Sequence, residues 1–333
     1  MARIDPTRAQ PTASGRTAVE PSSAPRPAAP VAPGSAGRSS FESGSVARAE
    51  VVTAPGVPAA GELWGGFSSQ VQAALAQWEV PPAASADQHL AVVLPDGDPL
   101  LRPTYTLPGR ELWHGRMKDL LLSAGAVKDR PTAYFLAGPM GVGKIALAEK
   151  LQVDGVIPGA VARADADFIH PLVPEFSQLV QAGDGRAADV VHEEASAIGR
   201  AVLEQAYVEK RDVLHNTMLG SELQLARVDA AQRAGFERVV VALVAPLPVA
   251  QERAGAGGAW FSPRMLATSA RDFAAGFDAV VAKADRLVLV QNDGARMQVI
   301  AHGEAGALTV LDAVRYQAFR DQAQLDVATF PER

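Results

Sequence analysis

The sequence predicts an α/β domain in which helices cover both faces of a mainly parallel β-sheet. Two observations indicate this fold class. From about residue 111 onward, short apolar runs alternate with segments of helical periodicity, and the runs are apolar at successive positions. Such runs are typical of parallel strands buried between two helical layers. The chain has 333 residues and is 48% hydrophobic, which suffices for a full-sized core.

Composition divides the chain into three parts. Residues 1–60 are rich in Pro, Ser, Ala and Gly without helix or strand periodicity, so we expect a disordered tail. Residues 61–110 are expected to form a small helical or connecting region, and residues 111–333 the α/β domain. Two interpretations of the tail stay open: a plain flexible arm, or a secretion arm like those that precede injected bacterial effectors.

Two helices are predicted before the first strand. In residues 67–78 the apolar side chains of Val71, Leu75 and Trp78 recur at helical spacing, and Pro81 prevents the helix from continuing. The second helix is predicted over residues 112–122.

Strands and helices then alternate to the C-terminus. Residues 133–137 and 239–245 are apolar runs and are predicted strands, and the helix predicted over 192–210 carries Ile198, Val202 and Leu203 on one face. The other strands are predicted at 161–164, 212–216, 287–291 and 298–301. The other helices are predicted at 144–151, 175–181, 222–234, 264–282 and 311–323.

Charge and composition exclude several classes of function. The net charge of −6 comes without a basic stripe, which argues against nucleic acid as a partner. The absence of cysteine excludes disulfides and thiolate metal sites. The longest apolar stretch, 239–250, is far shorter than the ~20 residues that span a bilayer, and the N-terminus lacks an apolar signal region. We therefore expect no membrane partner and a protein that acts in the cytoplasm, or that is secreted into a host cell.

A phosphate-binding motif follows the first predicted strand. Residues 138–144 match G-x-x-x-x-G-K between a strand and a helix, which predicts a P-loop NTPase-like three-layer domain. The glycines let backbone N–H groups converge on phosphate oxygens, and the helix N-terminus and Lys144 add positive charge. The predicted nucleotide-binding residues are Gly138, Pro139, Met140, Gly141, Val142, Gly143, Lys144 and Ile145. A glycine loop with a purely structural role is the alternative.

Position 145 departs from the usual motif. A working P-loop has Ser or Thr after the lysine, and its hydroxyl binds Mg²⁺. Ile145 cannot coordinate a metal, and together with Leu147 and Leu151 it is expected to pack the first helix against the sheet. Phosphate binding does not need the hydroxyl, because the backbone amides and Lys144 bind the phosphate oxygens. The substitution therefore affects catalysis more than binding.

The chain beyond the loop carries further motifs. Asp165-Ala-Asp167 follows a predicted strand and precedes Leu172-Val-Pro-Glu-Phe176. With the loop and the segments 112–118 and 130–138, these motifs resemble the zeta toxins, P-loop kinases of small molecules, over roughly residues 111–323. The resemblance implies that Asp167 is the general base for the substrate hydroxyl and that Asp165 contacts the substrate. From the residues alone, two acids after a strand are equally a helix N-cap or a Mg²⁺ site.

Three later segments extend the resemblance. His192-Glu-Glu-Ala-Ser196 is similar to a segment that contacts the substrate, which implies that Glu193 and Glu194 bind it. Acids that open a helix are also favoured by its dipole, and this alternative stays open. Thr217 matches the threonine of a strand ending in (D/E)-G-T, and is implied to bind substrate. Arg253 matches an arginine that neutralises the transferring phosphate, a plain exposed helical arginine being the alternative.

Three positions depart from the family pattern: Ile145, His215 and Trp260. His215 stands where the family has a carboxylate, and a structural role for it is the alternative to a catalytic one. Trp260 stands where the family has a second arginine, and is expected either to stack on a base or to anchor packing. Arg264 lies nearby in a different register. The departures fit a divergent subfamily, or a pseudokinase that has kept the fold.

The resemblance implies an ATP- or GTP-dependent kinase, working with Mg²⁺, that phosphorylates a hydroxyl of a nucleotide-linked metabolite. UDP-N-acetylglucosamine is the first candidate, and the tail adds NAD as the second. Depletion of such a metabolite would make the protein a toxin or secreted effector, with an antitoxin or chaperone as protein partner. The competing interpretation is a catalytically weak P-loop pseudokinase that acts as a nucleotide-binding interaction protein. No residue is assigned as a metal ligand.

Overall fold

In the computed structural model, the strand that precedes the glycine motif lies at the centre of the sheet. The structure describes residues 71–90 without 72, 80 and 82, residues 107–256 without 108, and residues 261–332. Within these residues seven strands form one sheet in the order β2-β3-β1-β4-β5-β6-β7. The strands are β1 (Thr132–Ala137), β2 (Ala162–Ala164), β3 (Val213–Asn216), β4 (Glu237–Val244), β5 (Arg286–Asn292), β6 (Met297–Glu304) and β7 (Ala307–Val310).

Helices connect the parallel strands and follow the sheet. The first five are α1 (Ala86–Leu90), α2 (Glu111–Ser123), α3 (Lys144–Val153), α4 (Ala166–Ile169) and α5 (Pro174–Gln181). The next five are α6 (Ala187–Glu209), α7 (Glu222–Arg233), α8 (Leu247–Ala256), α9 (Pro263–Lys283) and α10 (Ala313–Asp321). Residues 71 and 73–75 are also helical. Serine side chains cap two of these helices: Ser221 accepts a hydrogen bond from the backbone of Gln224, and Ser262 from that of Met265.

The register of β1 separates two apolar cores, one on each face of the sheet. β1 pairs in parallel with β3 and β4. Its residues Ala133 and Phe135 belong to the core formed with α2, α6, α7 and α9, whereas Tyr134 and Leu136 belong to the core formed with α3. Successive side chains of β1 thus pack against the helices on opposite faces of the sheet. Because both faces are buried, the strand is apolar at each position from 133 to 137. The predicted three-layer, mainly parallel α/β fold is confirmed.

The far edge of the sheet was only partly predicted. β6 pairs antiparallel with β5 and runs to Glu304, and the unpredicted β7 pairs antiparallel with β6. The two residues between them, Ala305 and Gly306, have positive φ of 48° and 83°. Two left-handed residues make the tight turn that matches the twist of a hairpin. The sequence signal is weak because alanine stands where such turns usually have Asn or Asp.

The long helix α6 begins five residues before the predicted start at His192, since Ala187, Val190 and Val191 are buried on its first turns. His192, Glu193 and Glu194 therefore lie in the second turn of the helix. The explanation of these acids by the dipole of a helix start is wrong, because that effect is confined to the first turn.

The described part of region 61–110 packs onto the α/β domain. Val71 and Leu107 are buried in apolar clusters that include residues of the domain. The division of the chain at residues 60 and 110 remains a prediction, and residues 1–60 lie outside the described part. No helix among the described residues combines the length and the apolar character that crossing a bilayer requires.

Candidate active site

The glycine loop between β1 and α3 adopts a backbone that its glycines require. Gly138, Gly141 and Gly143 have positive φ of 135°, 74° and 93°. A Cβ on Gly138 would lie 2.0 Å from the backbone oxygen of Leu243, and one on Gly141 would lie 2.7 Å from that of Ala250. The loop is therefore pressed against the ends of β4 and α8, and its curvature suits a phosphate cradle.

The ammonium group of Lys144 is folded into this loop. Its Nζ donates hydrogen bonds to the backbone oxygens of Gly138 at 3.0 Å and Pro139 at 2.7 Å. Burial lowers the pKa of Lys144, and the negative charges of Asp167 and Asp165 oppose that shift. The lysine and the two acids therefore share one electrostatic environment at the carboxyl edge of the sheet.

Ile145 does not pack as the sequence analysis expected. Its side chain is 46% exposed, whereas Leu147 of the same helix is buried. The prediction that Ile145 packs α3 against the sheet is wrong, because the first turn of α3 turns this position away from the core. The residue that replaces the usual hydroxyl thus presents an apolar, exposed side chain beside the loop.

The two acids after β2 have separate environments. Asp165 is buried, and its Oδ1 accepts hydrogen bonds from the backbone N–H of Asp167 at 3.0 Å and of Phe168 at 3.4 Å. Arg163 lies 3.4 Å from its other oxygen. Asp165 is therefore the N-cap of α4, the alternative that the residues alone had left open. The side chain of Asp167, by contrast, is 48% exposed.

Asn216, at the end of β3, links these two acids and was missed by the sequence analysis. Its Nδ2 lies 3.2 Å from Oδ1 of Asp165 and 3.0 Å from Oδ2 of Asp167. Burial raises the pKa of Asp165, while the charge of Arg163 and the amide of Asn216 act against it. The one feature of the sequence that could have indicated a role for Asn216 is its position directly before Thr217.

The neighbours of Asn216 are both buried. His215 has Nδ1 2.7 Å from the backbone oxygen of Ala164 and Nε2 2.9 Å from Nη1 of Arg227. Because a carbonyl only accepts and a guanidinium only donates, the ring is neutral with its proton on Nδ1. The hydroxyl of Thr217 is buried and has no hydrogen-bond partner within the described residues. An unpaired buried hydroxyl at a strand end is a candidate ligand contact.

The adjacent acids of α6, Glu193 and Glu194, also differ in burial and in their hydrogen-bond partners. Glu194 is fully buried, with its carboxylate 3.0 Å from Nη1 of Arg110 and 2.7 Å from Nε2 of His114. Glu193 has one buried carboxylate oxygen, Oε2, without a hydrogen-bond partner in the described part of the chain. Glu194 thus takes part in a separate ion-pair cluster, and Glu193 is the acid left with unused hydrogen-bonding capacity.

The residues around Glu194 resemble the ligands of a metal site, but Arg110 already supplies a positive charge there. Ligand atoms of His89, Glu175 and Glu194 lie within 4.8 Å of one another. Arg110 forms ion pairs with both carboxylates, and supplies the positive charge that a metal would bring. We assign the cluster to stability.

Arg253 contacts the glycine loop, and its role in neutralising the transferring phosphate stays a prediction. Its Nη1 donates to the backbone oxygen of Val142 at 3.0 Å and its Nη2 to Oδ1 of Asn292 at 2.6 Å. Asn292, at the end of β5, also donates to Val142 and was missed by the sequence analysis. Arg264 instead bonds to the backbone oxygen of Phe330 at 3.0 Å, near the C-terminus. Trp260 lies outside the described residues.

The chain is similar to one protein family and to several solved structures. The zeta toxin family model matches residues 120–294, more than half of the chain. No curated protein sequence matches. Among solved structures, the AvrRxo1-ORF1:AvrRxo1-ORF2 complex with sulphate ions matches at a TM-score of 0.53 and 17% identity, covering 71% of this chain and 81% of that chain. The same complex with ATP matches at 0.52 and 16%, covering 75% and 81%.

A third structure, from the PezAT toxin–antitoxin system of Streptococcus pneumoniae, has a TM-score of 0.48 and 13% identity, covering 66% of this chain and 95% of that chain. At 17% and 16% identity, the first two matches show a shared fold and nothing finer. Family membership rests on the sequence match, which includes the glycine loop, both acids after β2, the strand end at Asn216, and Arg253. The chain belongs to the zeta toxin family, a family of P-loop kinases.

Proposed function

We propose that the protein transfers the γ-phosphoryl group of ATP or GTP to a hydroxyl of a nucleotide-linked metabolite, with UDP-N-acetylglucosamine and NAD as the first candidates. One observation carries the proposal. Lys144 of the glycine loop follows the carboxyl end of β1, and the exposed carboxylate of Asp167 lies 3.0 Å from Asn216 at the carboxyl end of β3, the parallel neighbour of β1. A base for the acceptor and a cation for the donor phosphates therefore lie at the same edge of the sheet.

The loop residues hold the donor. Backbone N–H groups of the left-handed turns face the β- and γ-phosphates, and Lys144 exchanges its two carbonyl partners for phosphate oxygens. Arg253, which is fixed to the loop at Val142, adds a second positive charge. These groups neutralise the charge that spreads over the phosphoryl oxygens during transfer.

The oxygen atoms near the loop fit magnesium in part. The ion would neutralise phosphate charge, and Ile145 offers it no ligand. Phosphate oxygens and water, which make up much of the usual shell of magnesium, would hold the ion, since the proposal keeps Asp167 as the base for the acceptor hydroxyl.

Two buried oxygen atoms without hydrogen-bond partners in the described residues support the assignment of Glu193 and Thr217 to binding of the acceptor substrate. Glu193 Oε2 and Thr217 Oγ1 have no hydrogen-bond partner within the described residues. A buried polar atom left unpaired costs ~1–3 kcal/mol, which a hydroxyl-rich substrate would recover. Asp165 and Glu194, which the family resemblance also assigns to the substrate, already have protein partners in this structure.

Mass spectrometry tests the proposal. Wild-type protein with Mg²⁺–ATP and either candidate acceptor should yield an acceptor heavier by one phosphoryl group. Lys144→Ala should bind ATP at least tenfold more weakly and make little product, because a charge-assisted hydrogen bond contributes ~1.5–3 kcal/mol. Lys150→Ala, an exposed lysine of the same helix that pairs with Asp154, is the control and should behave as wild type.

The alternative function, a nucleotide-binding interaction protein without turnover, is favoured by Ile145, which replaces a metal ligand. It predicts ATP binding that depends on Lys144 but no product with either acceptor. We propose further that a dedicated antitoxin or chaperone binds the chain, and that it acts in the cytoplasm or after secretion into a host cell. The structural match to a two-protein complex supports the partner.

A further inference from the structure

The amide of Asn216 lies between the two acids that follow β2. Its Nδ2 is 3.2 Å from Asp165 and 3.0 Å from Asp167. Carboxylates only accept hydrogen bonds, so the atom between them must be the amide nitrogen, which has two hydrogens to donate. One hydrogen serves each acid, and the side-chain orientation of Asn216 follows from its surroundings.

The two acids depend on this amide to different degrees. Asp165 also accepts from the backbone N–H of Asp167 and Phe168 and pairs with Arg163. For the side chain of Asp167, the amide of Asn216 supplies the one hydrogen bond found within the described residues, and His170 lies 4.0 Å away. Removal of the amide would therefore leave Asp165 in place and release Asp167.

The arrangement has a cost that stability alone does not explain. The other amide atom of Asn216, Oδ1, is buried and lacks a hydrogen-bond partner in the described part of the chain. An unpaired buried carbonyl is unfavourable by ~1–3 kcal/mol. The amide in return offsets the repulsion between two carboxylates and fixes one of them beside the phosphate loop. A buried polar group left unpaired calls for an explanation, and a role in positioning a reactive side chain is one.

We propose that Asn216 is a positioning residue that aims Asp167 at the acceptor hydroxyl, an inference that rests on the proposed function. Asn216 holds Oδ2 of Asp167 and leaves Oδ1 to accept the proton. As the acceptor oxygen bonds to the γ-phosphorus, its O–H bond breaks and the proton goes to Asp167. The bond from the γ-phosphorus to the bridging oxygen breaks, and its electron pair leaves with ADP.

The test is the effect of Asn216→Ala on kcat, on KM and on ATP affinity, measured by product formation and calorimetry. We expect kcat to fall roughly 10- to 100-fold, because a misplaced base loses most of its contribution, while ATP affinity stays within about twofold of wild type. Gln317→Ala is the control: it removes the same kind of bond, to Asp321 at 2.7 Å, on the exposed helix α10.

A double-mutant cycle with Asp167→Asn separates positioning from general stability. If Asn216 acts through Asp167, the Asn216→Ala change should lower kcat less than about twofold in the Asp167→Asn background. The inference is overturned if Asn216→Ala turns over like wild type, if ATP affinity falls in parallel with kcat, or if the two changes multiply. Loss of ATP affinity in Asp167→Asn would assign Asp167 to the metal and overturn it as well.

The failure of this inference is distinguishable from that of the proposed function. A wild-type protein that yields product, with Asn216→Ala equal to it, removes the role of Asn216 alone. A wild-type protein that yields no product removes the proposed function, and the positioning role with it.

Discussion

His215, at the end of β3, is a neutral ring buried inside the protein. Burial, and then the charge of Arg227, lowers the pKa of His215 to about 3. Burial, and then the charge of His192, lowers the pKa of His170 to about 4. In the unfolded chain both rings titrate near the ordinary value of about 6.5. Below that pH the unfolded state binds protons that the folded state does not, so stability falls as the solution is acidified.

This linkage predicts how stability responds to pH. The contribution of His215 is fully present above about pH 6.5 and is lost toward about pH 3, at ~1.4 kcal/mol per pH unit. Urea unfolding at pH 7, 6 and 5 should therefore show a shallower decline for His215→Gln than for wild type. His302→Gln, at an exposed position on β6, is the control and should keep the wild-type slope. Equal slopes for wild type and His215→Gln would contradict the neutral, buried ring.

At the scale of the element, the glycine loop is held by backbone contact as well as by sequence. Gly138 directly follows β1 and meets the backbone of β4 with no room for a side chain. Backbone atoms cannot move aside as a flexible side chain can, so the loop and the strand are fitted to each other. The motif therefore serves two purposes, since the glycine that opens the phosphate cradle also seats β1 beside β4.

Two glycine substitutions test this fit. Gly138→Ala should lower the free energy of unfolding by more than ~2 kcal/mol, because it combines a strained φ with a Cβ placed 2.0 Å from the backbone oxygen of Leu243. Gly155 also has positive φ, 71°, but its Cβ would meet nothing within 4 Å. Gly155→Ala should thus cost only the ~1–2 kcal/mol of the left-handed backbone. Equal losses in thermal or urea unfolding would show that contact with Leu243 is unimportant.

At the scale of the whole molecule, a buried ion-pair cluster joins the segment before α2 to the α/β domain. Arg110 pairs with Glu175 of α5 and Glu194 of α6, and the backbone N–H of Ala84 donates to Glu175 at 3.0 Å. Although burial opposes it, hydrogen bonds from His89 and then Arg110 lower the pKa of Glu175 to about 2. Glu175 is thus held charged, and its contacts, with those of Glu194, hold the preceding segment in return.

Removal of Arg110 should be strongly destabilising. Arg110→Ala leaves two buried carboxylates without their cation, and we expect a loss of ~3–5 kcal/mol in urea unfolding. Adding Glu175→Gln and Glu194→Gln should restore part of that loss, because the uncompensated charges are then gone. Arg186→Ala, which breaks an exposed pair with Asp184, is the control and should leave stability unchanged. If Arg110→Ala equals wild type, the cluster does not hold the segment in place.

Local pattern was enough for much of this molecule. Continuous apolar runs predicted β1 and β4 because these strands are largely buried on both faces. The glycine motif predicted the loop because positive φ and close backbone contact leave few other residues possible. The hairpin of β6 and β7 was missed because its turn lacks the usual residues. The start of α6 was misplaced because its first apolar residues are alanine and valine, and β-branched valine is a weak helix former.

What the sequence determined by itself was the fold class and the phosphate loop, since both depend on residues that are neighbours along the chain. Tertiary structure alone decided which acids form hydrogen bonds or ion pairs with distant residues. Asp165 caps α4 through the backbone of its own neighbours, whereas the side chain of Asp167 is held by Asn216, 49 residues further along the chain. Glu194 entered a stabilising cluster because Arg110, 84 residues earlier, meets it in the core. Hydrogen bonds and ion pairs between distant segments leave no periodic trace in the chain.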